Sequence, residues 1–209
     1  MSELDFGGFS VGLKKKPLVI AEMSGNHGQS LEKAYRLIDA AANAGAHAIK
    51  LQTYTPDTIT LDCHENEFFI EDPNSLWKGN SLYNLYKEAM TPWEWHETLF
   101  ERGRQLGITV FSTPFDHTAV DFLEECGAPA YKIASFEIVD LPLIEKICGT
   151  GKPVIVSTGM ADESEILEAV SVAEQSGCQD LALLHCVSAY PALPEESNLK
   201  TIKYLEDKF

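Results

Sequence analysis

The chain has 209 residues, 44% apolar and 10% aromatic, and its 16 basic against 32 acidic side chains leave a formal charge of −16. That composition supports a hydrophobic core and excludes a disordered or low-complexity polymer. The charge disfavours duplex nucleic acid and anionic membranes as partners, since no basic run extends beyond Lys14, Lys15 and Lys16. Residues 1–16, with Phe6, Gly7, Gly8, Phe9 and Gly12, predict a small N-terminal hairpin or cap. They show no apolar stretch of a secretion signal, and no later window approaches the roughly 18 apolar residues of a bilayer span, so a cytoplasmic location is expected.

From residue 17 the pattern changes. Short β-branched runs at 18–21, 48–51, 108–111, 130–133, 154–156 and 181–184 read as buried parallel strands. Helix-period segments at 31–44, 92–105, 119–126, 142–148 and 163–175 lie between most of them, which is βαβ alternation. Thr91-Pro92-Trp93-Glu94 predicts an N-cap, a first-turn proline and a capping-box Glu, and Asp162 with Glu165 predicts a second box. Gly45, Gly107, Gly127, Gly151 and Gly177 each follow a helical pattern where a left-handed cap is needed. Such α/β repeats suit a doubly wound sheet or a (β/α)8 TIM barrel, and the lack of a G-x-G-x-x-G after the first strand favours the barrel, over residues 17–209. A barrel takes eight strands and about 250 residues, so the sequence reads as truncated after about six β/α units. The stretch from Thr53 to Thr91 has no strong period and reads as one long functional excursion. The five cysteines, Cys63, Cys126, Cys148, Cys178 and Cys186, contain no C-x-x-C pair. They fit neither a disulfide framework nor a zinc knuckle, and four of them are expected as small core residues.

In a barrel, chemistry sits at the carboxyl ends of the strands. Those ends carry Glu22, Ser24, Asn26 and His27; Lys50 and Gln52; Ser112, Thr113 and Asp116; Lys132, Ser135 and Glu137; Ser157, Thr158 and Gly159; and His185, Cys186, Ser188 and Tyr190. Lysines inside apolar strands need an anion or a carboxylate to offset their burial. Lys50 and Lys132, joined by Ser112, Thr113, Ser135 and Ser157, could clamp a phosphate. Ion pairs of Lys50 with Glu22 and of Lys132 with Glu137 are the structural alternative, and a Schiff-base lysine is a third reading. Glu22 and Glu137 suit general acid or base work, or else structural ion pairing. His27 and His185 lack a metal-ligand spacing and fit satisfied hydrogen-bonding histidines better. His47, His64, His96 and His117 read as surface or capping residues. Trp93 and Trp95 read as core, while Trp77, Tyr83 and Tyr86 in the excursion fit either packing or a carbohydrate-facing role.

Ile20-Ala21-Glu22-Met23-Ser24-Gly25-Asn26-His27, Lys50-Leu51-Gln52-Thr53-Tyr54, Phe111-Ser112-Thr113-Pro114-Phe115-Asp116, Tyr131-Lys132-Ile133-Ala134-Ser135-Phe136-Glu137 and Ser157-Thr158-Gly159-Met160 resemble the sialic acid synthase family. The likeness runs from about Pro17 to the end of the chain. Leu82-Tyr83-Asn84-Leu85-Tyr86-Lys87-Glu88-Ala89 and Thr91-Pro92-Trp93-Glu94-Trp95 are most similar to its pseudaminic acid-forming branch. The resemblance implies condensation of phosphoenolpyruvate with an open-chain N-acetylated amino sugar, 2,4-diacetamido-2,4,6-trideoxy-altrose in that branch, with release of phosphate by C–O cleavage. It implies that Lys50, Thr113, Lys132, Ser135, Ser157 and Ser188 hold phosphoenolpyruvate, that Gln52 and Tyr190 line the sugar side, and that Glu22 and Glu137 orient the aldehyde and water. It also implies a divalent Mn²⁺ or Mg²⁺ held by two histidines that would lie beyond residue 209, a C-terminal antifreeze-like domain and a homodimer. Cys186-Val187-Ser188 departs from the family, which commonly has Thr before this Ser or Asn, and His185 stands where many members of the branch have Lys. The alternatives are N-acetylneuraminate or legionaminate synthesis, a Schiff-base aldolase, or a noncatalytic barrel fragment.

Overall fold

The first strands are β1 (Leu4–Phe6) and β2 (Phe9–Val11), an antiparallel hairpin whose turn is tied by the Gly8 N–H donating to Asp5 Oδ1 at 2.8 Å. The computed structural model describes residues 4–12, 14–73, 75, 77–189 and 192–209. Residues 1–17 with 129–209 make one compact unit, and residues 18–128 make the other.

In the 18–128 unit, β3 (Ile20–Glu22), α1 (Leu31–Asn43), β4 (Ala48–Thr53), α2 (Pro56–Ile59), α3 (Leu82–Ala89), α4 (His96–Leu106), β5 (Thr109–Pro114) and α5 (His117–Glu125) follow in order. The strands β3, β4 and β5 pair in parallel, with Glu22 opposite Lys50 and Gln52 opposite Thr113. Helix α1 starts where Ser30 accepts the Lys33 N–H, and it buries Ala34, Ile38 and Ala41, one stripe at helical spacing. Helix α5 starts two residues before the apolar pattern does, because Asp116 Oδ1 accepts the N–H groups of Thr118 and Ala119. The cap expected at Thr91 does not form. A 3₁₀ turn at Trp93–Trp95 precedes α4, and Thr91 is buried instead, its Oγ1 3.4 Å from His27 Nε2. Arg102 joins α4 to α1 through a bidentate pair with Asp39, at 2.7 and 2.8 Å. Partly exposed pairs of this kind contribute at most about 1 kcal/mol.

The excursion after β4 is more ordered than its sequence suggests. Besides α2 and α3 it holds a 3₁₀ turn at Asn66–Phe68 and an isolated bridge between Phe69 and Ser81.

In the other unit, β6 (Tyr131–Ile133), α6 (Leu141–Cys148), β7 (Val154–Ser157), α7 (Glu163–Gln175), β8 (Leu181–Leu184) and α8 (Lys200–Lys208) follow the hairpin. β7 pairs in parallel with both β6 and β8. The capping box forms as read: Asp162 Oδ1 accepts the Glu165 N–H at 2.9 Å and Glu165 Oε2 accepts the Asp162 N–H at 2.8 Å. Helix α8, absent from the sequence reading, is tied to the first turn of α7 by Lys208 at 2.7 Å from Glu163 and by the Tyr204 hydroxyl.

Both units therefore consist of parallel βα repeats whose strand order follows chain order, without the reversal of a doubly wound sheet. The five helix-exit glycines all take positive φ, between 70° and 84°. Ile38, Ile49, Leu51, Leu99, Phe111 and Leu123 fill the core of the 18–128 unit, and Tyr131, Ile133, Ile138, Leu143, Ile144 and Val154 that of the other. Each such side chain contributes about 1.5–3 kcal/mol. Of the cysteines only Cys148 is fully buried; Cys63, Cys126, Cys178 and Cys186 are partly exposed, so the expectation of four core cysteines fails. Among the described residues no helix is long and apolar enough to cross a membrane.

Candidate functional site

Strand alternation decides which polar residues meet. On β4, Lys50 and Gln52 share one face while Leu51 and Thr53 share the other. Lys50 is 8% exposed, and its ammonium lies 2.9 Å from Glu22 Oε2 and donates to Thr113 Oγ1 at 3.2 Å. The Glu22 side chain is 53% exposed, so this pair has a buried cation and a wet carboxylate. Half-buried Gln52 stands two residues on, on the Lys50 face.

Ser112 does not join this group, contrary to expectation. It sits opposite Leu51 and is fully buried, with its Oγ 2.6 Å from Thr53 Oγ1. Thr53 Oγ1 is in turn 2.8 Å from His96 Nε2, and His96 Nδ1 is 3.2 Å from the Pro92 carbonyl. A carbonyl only accepts, so Nδ1 carries the proton, Nε2 accepts from Thr53, and Thr53 accepts from Ser112. His96 is fully buried rather than a surface residue, and burial pushes its pKa down to about 4. His27 is likewise buried, accepts the Gln29 N–H on Nδ1 at 3.2 Å, and has its pKa lowered by burial and by Lys33. His47 Nδ1 accepts the Val19 N–H at 2.9 Å, while His64 and His117 are exposed.

The 1–17/129–209 unit builds a second lysine group. Lys132, 7% exposed, donates to Ser157 Oγ at 2.5 Å and to the Ile133 carbonyl at 2.7 Å, and the Cys186 thiol reaches Ser157 Oγ at 3.1 Å. Gly159 defines how tightly the strand ends converge. A Cβ there would lie 2.4 Å from Ser188 Oγ, 3.0 Å from Ser135 Oγ and 3.1 Å from Cys186 Cβ. Only a glycine lets the chain approach these side chains so closely, so the hydroxyls of Ser135 and Ser188 converge on the end of β7. Thr158 donates from its N–H and its hydroxyl to the Leu184 carbonyl, both at 3.0 Å, which fixes the end of β7 against β8. Glu137 lies on the 3₁₀ turn Phe136–Val139 that follows β6, with Oε2 buried and without a hydrogen-bond partner among the described residues. Burial raises its pKa, opposed by its own N–H and by the charge of Lys132. Tyr190 lies outside the described residues.

Each unit thus combines a buried ammonium, hydroxyls and a carboxylate: Lys50, Thr113 and Glu22 in one, Lys132, the serines and Glu137 in the other. Such groups can bind an acidic ligand and move a proton. The donor set for the divalent metal implied by resemblance is not assembled here. Among the described residues no three His, Cys, Asp or Glu side chains converge on a metal position, and His185 Nε2 is spent on the Ser197 carbonyl at 2.8 Å. Sequence reasoning missed Thr53, Gln29 and the burial of His96. The alternation that puts Thr53 opposite in sense to Lys50 was the available signal for the first.

Residues 37–209 match the NeuB family model. The chain is 46% identical over 193 residues to the pseudaminic acid synthase of Helicobacter pylori, covering 92% of this chain and 56% of that protein. It is 35% identical to the N,N'-diacetyllegionaminic acid synthase of Campylobacter jejuni, covering 93% of this chain and 58% of that one. It therefore spans a little over half the length of these relatives. The crystal structure of the N-acetylneuraminic acid (sialic acid) synthetase of Leptospira borgpetersenii in complex with citrate superposes with a TM-score of 0.87 at 35% identity, covering 100% of this chain and 67% of that one. By the match over residues 37–209, the chain belongs to the NeuB family.

Proposed function

We propose that the six βα repeats belong to a (β/α)8 barrel that condenses phosphoenolpyruvate with an N-acetylated amino sugar to give a nonulosonic acid and phosphate. The Lys132 cradle carries this reading: a buried ammonium beside Ser157, with Ser135 and Ser188 converging over Gly159, on a chain of formal charge −16. A local cationic cradle in so acidic a protein selects an anion, and phosphate is complemented by ammonium and hydroxyl donors together.

In the reaction, C3 of the enol attacks the sugar aldehyde, forming the C–C bond as the carbonyl π bond opens and its oxygen takes up a proton, while positive charge develops at C2. Water adds to C2 with loss of a proton, and the C2–O bond to phosphate then breaks, leaving the 2-keto acid. Lys132, Ser135, Ser157 and Ser188 take the phosphate. Glu137, whose burial favours the protonated form, is suited to exchange a proton with the water or the leaving oxygen. Lys50 and Thr113 complement a carboxylate, and the exposed Glu22 accepts from a substrate hydroxyl. Gln52 is assigned to the sugar.

The 46% identity to pseudaminic acid synthase favours 2,4-diacetamido-2,4,6-trideoxy-altrose as acceptor. The protein expressed from its complete reading frame is to be given phosphoenolpyruvate with this sugar, or with the sugar precursors of legionaminate or N-acetylneuraminate. Sugar-dependent phosphate release, fastest with the altrose derivative, is expected. Faster turnover with another precursor would reassign the acceptor, and no release with any would overturn the synthase reading.

A further inference from the structure

Helix α3 ends without a left-handed cap. The chain leaves it at Met90 with φ −59° and ψ 143°, so its last carbonyls need donors from elsewhere. The connection between β3 and α1 supplies them. Gln29 Nε2 donates to the Glu88 carbonyl at 2.9 Å and to the Met90 carbonyl at 2.7 Å, so both amide protons are used on one helix end. Gly25 packs so closely on Ala89 that a Cβ would lie 2.9 Å from Ala89 Cβ and 3.1 Å from its carbonyl oxygen. Buried His27 completes the contact through Thr91 Oγ1 at 3.4 Å and stands edge-on to Trp95 with centroids 5.5 Å apart. Ser24 and Gln29 adopt φ of 47° and 55°, a region that side chains other than glycine rarely occupy. Strain of this kind persists where the surrounding contacts over-determine it.

The held helix leads back to the strand end. The Tyr86 ring of α3 packs edge-on against Tyr54 with centroids 5.7 Å apart, and Trp93 Nε1 donates to the Tyr54 carbonyl at 3.2 Å. Tyr54 is two residues from Gln52, while the gripping segment begins two residues after Glu22. We propose that residues 24–29 form a latch on the end of α3, and that Gln29 is a positioning residue for the acceptor sugar, acting through α3 and Tyr54 on Gln52. The latch stands on geometry alone; its link to the sugar rests on the function proposed above.

The test compares wild type with Gln29→Ala, which removes both bonds, and Gln29→Lys, whose ammonium offers donors to the same carbonyls, in the protein from its complete reading frame. Two lost hydrogen bonds predict about tenfold faster amide exchange over residues 85–91. They also predict a rise of about tenfold in sugar KM with phosphoenolpyruvate KM unchanged, and Gln29→Lys restoring both readouts. Unchanged exchange in Gln29→Ala overturns the latch. Faster exchange with an unchanged sugar KM, or an equal rise in both KM values, overturns the positioning role and leaves a plain helix cap. If wild type consumes no phosphoenolpyruvate, the synthase reading falls together with the sugar role, and exchange with its rescue by Lys still decides the latch.

Discussion

Replacing Lys132 by Met keeps most of the side-chain volume and removes the ammonium that donates to Ser157 Oγ at 2.5 Å and to the Ile133 carbonyl at 2.7 Å. A charge-assisted hydrogen bond to phosphate contributes about 1.5–3 kcal/mol. The Coulomb attraction of one charge pair at about 4 Å, with the effective dielectric of a partly buried site, is about 4 kcal/mol before desolvation. The lower range corresponds to a dissociation constant for phosphoenolpyruvate raised about 10- to 150-fold. Removing Lys132 also takes away a charge that opposes the upward shift of Glu137, so the carboxyl is expected to hold its proton to higher pH. Titration calorimetry with phosphoenolpyruvate at neutral pH reads the first effect, with thermal unfolding of the same samples as the check on folding. A folded Lys132→Met protein that binds within twofold of wild type would refute the assignment of phosphate to this cradle.

Three further outcomes follow from the geometry. The pKa of His96 falls from 6.5 to about 4 on burial, so its contribution to stability is complete above pH 6.5 and is lost as pH falls through 4, about 3 kcal/mol in all. Urea midpoints between pH 7 and 4 should therefore drop more steeply in wild type than in His96→Gln, and equal slopes would contradict the buried neutral imidazole. Glu137, shifted the other way, acts with the opposite sign in both proteins and cancels from the comparison. Gly159→Ala drives a methyl into the Ser188, Ser135 and Cys186 side chains and should weaken phosphoenolpyruvate binding at least about tenfold with far-ultraviolet dichroism unchanged, because the hydroxyls proposed to take the phosphate are pushed apart. Ser112→Ala should lower stability by about 1–2 kcal/mol and leave phosphoenolpyruvate affinity unchanged, since its hydroxyl is bonded to Thr53; unchanged stability with weakened binding would return Ser112 to the ligand set.

The repeats were legible because buried parallel strands are apolar runs bounded by caps and glycines, and the Asp162 box and the helix-exit glycines formed where the sequence placed them. Helix α3 was missed although Leu82, Leu85, Tyr86 and Ala89 stand at helical spacing, because the stripe is only eight residues long and lies in an excursion with no strong period around it. Asp116 shows why boundaries shift, since a single carboxylate starts α5 ahead of the first buried residue. At the candidate site the two lysines stood out because ammonium groups are costly inside apolar strands. Ser112 was misplaced because a hydroxyl at a strand end points to either face, and only its register opposite Leu51, with Gln52 opposite Thr113, separates it from the Lys50 group. Gln29 gave no sequence signal, because its partners are backbone carbonyls 59 and 61 residues away.

The central claim is condensation with C–O cleavage, and the most direct measurement follows the bridging oxygen of phosphoenolpyruvate. The protein from its complete reading frame is incubated with phosphoenolpyruvate labelled with ¹⁸O at the C2–O–P position and with the altrose-derived acceptor, and the released phosphate and nine-carbon product are weighed by mass spectrometry. The account predicts that phosphate carries the label and that the 2-keto acid takes its C2 oxygen from water. Label retained in the keto acid, or no sugar-dependent phosphate at all, would contradict it.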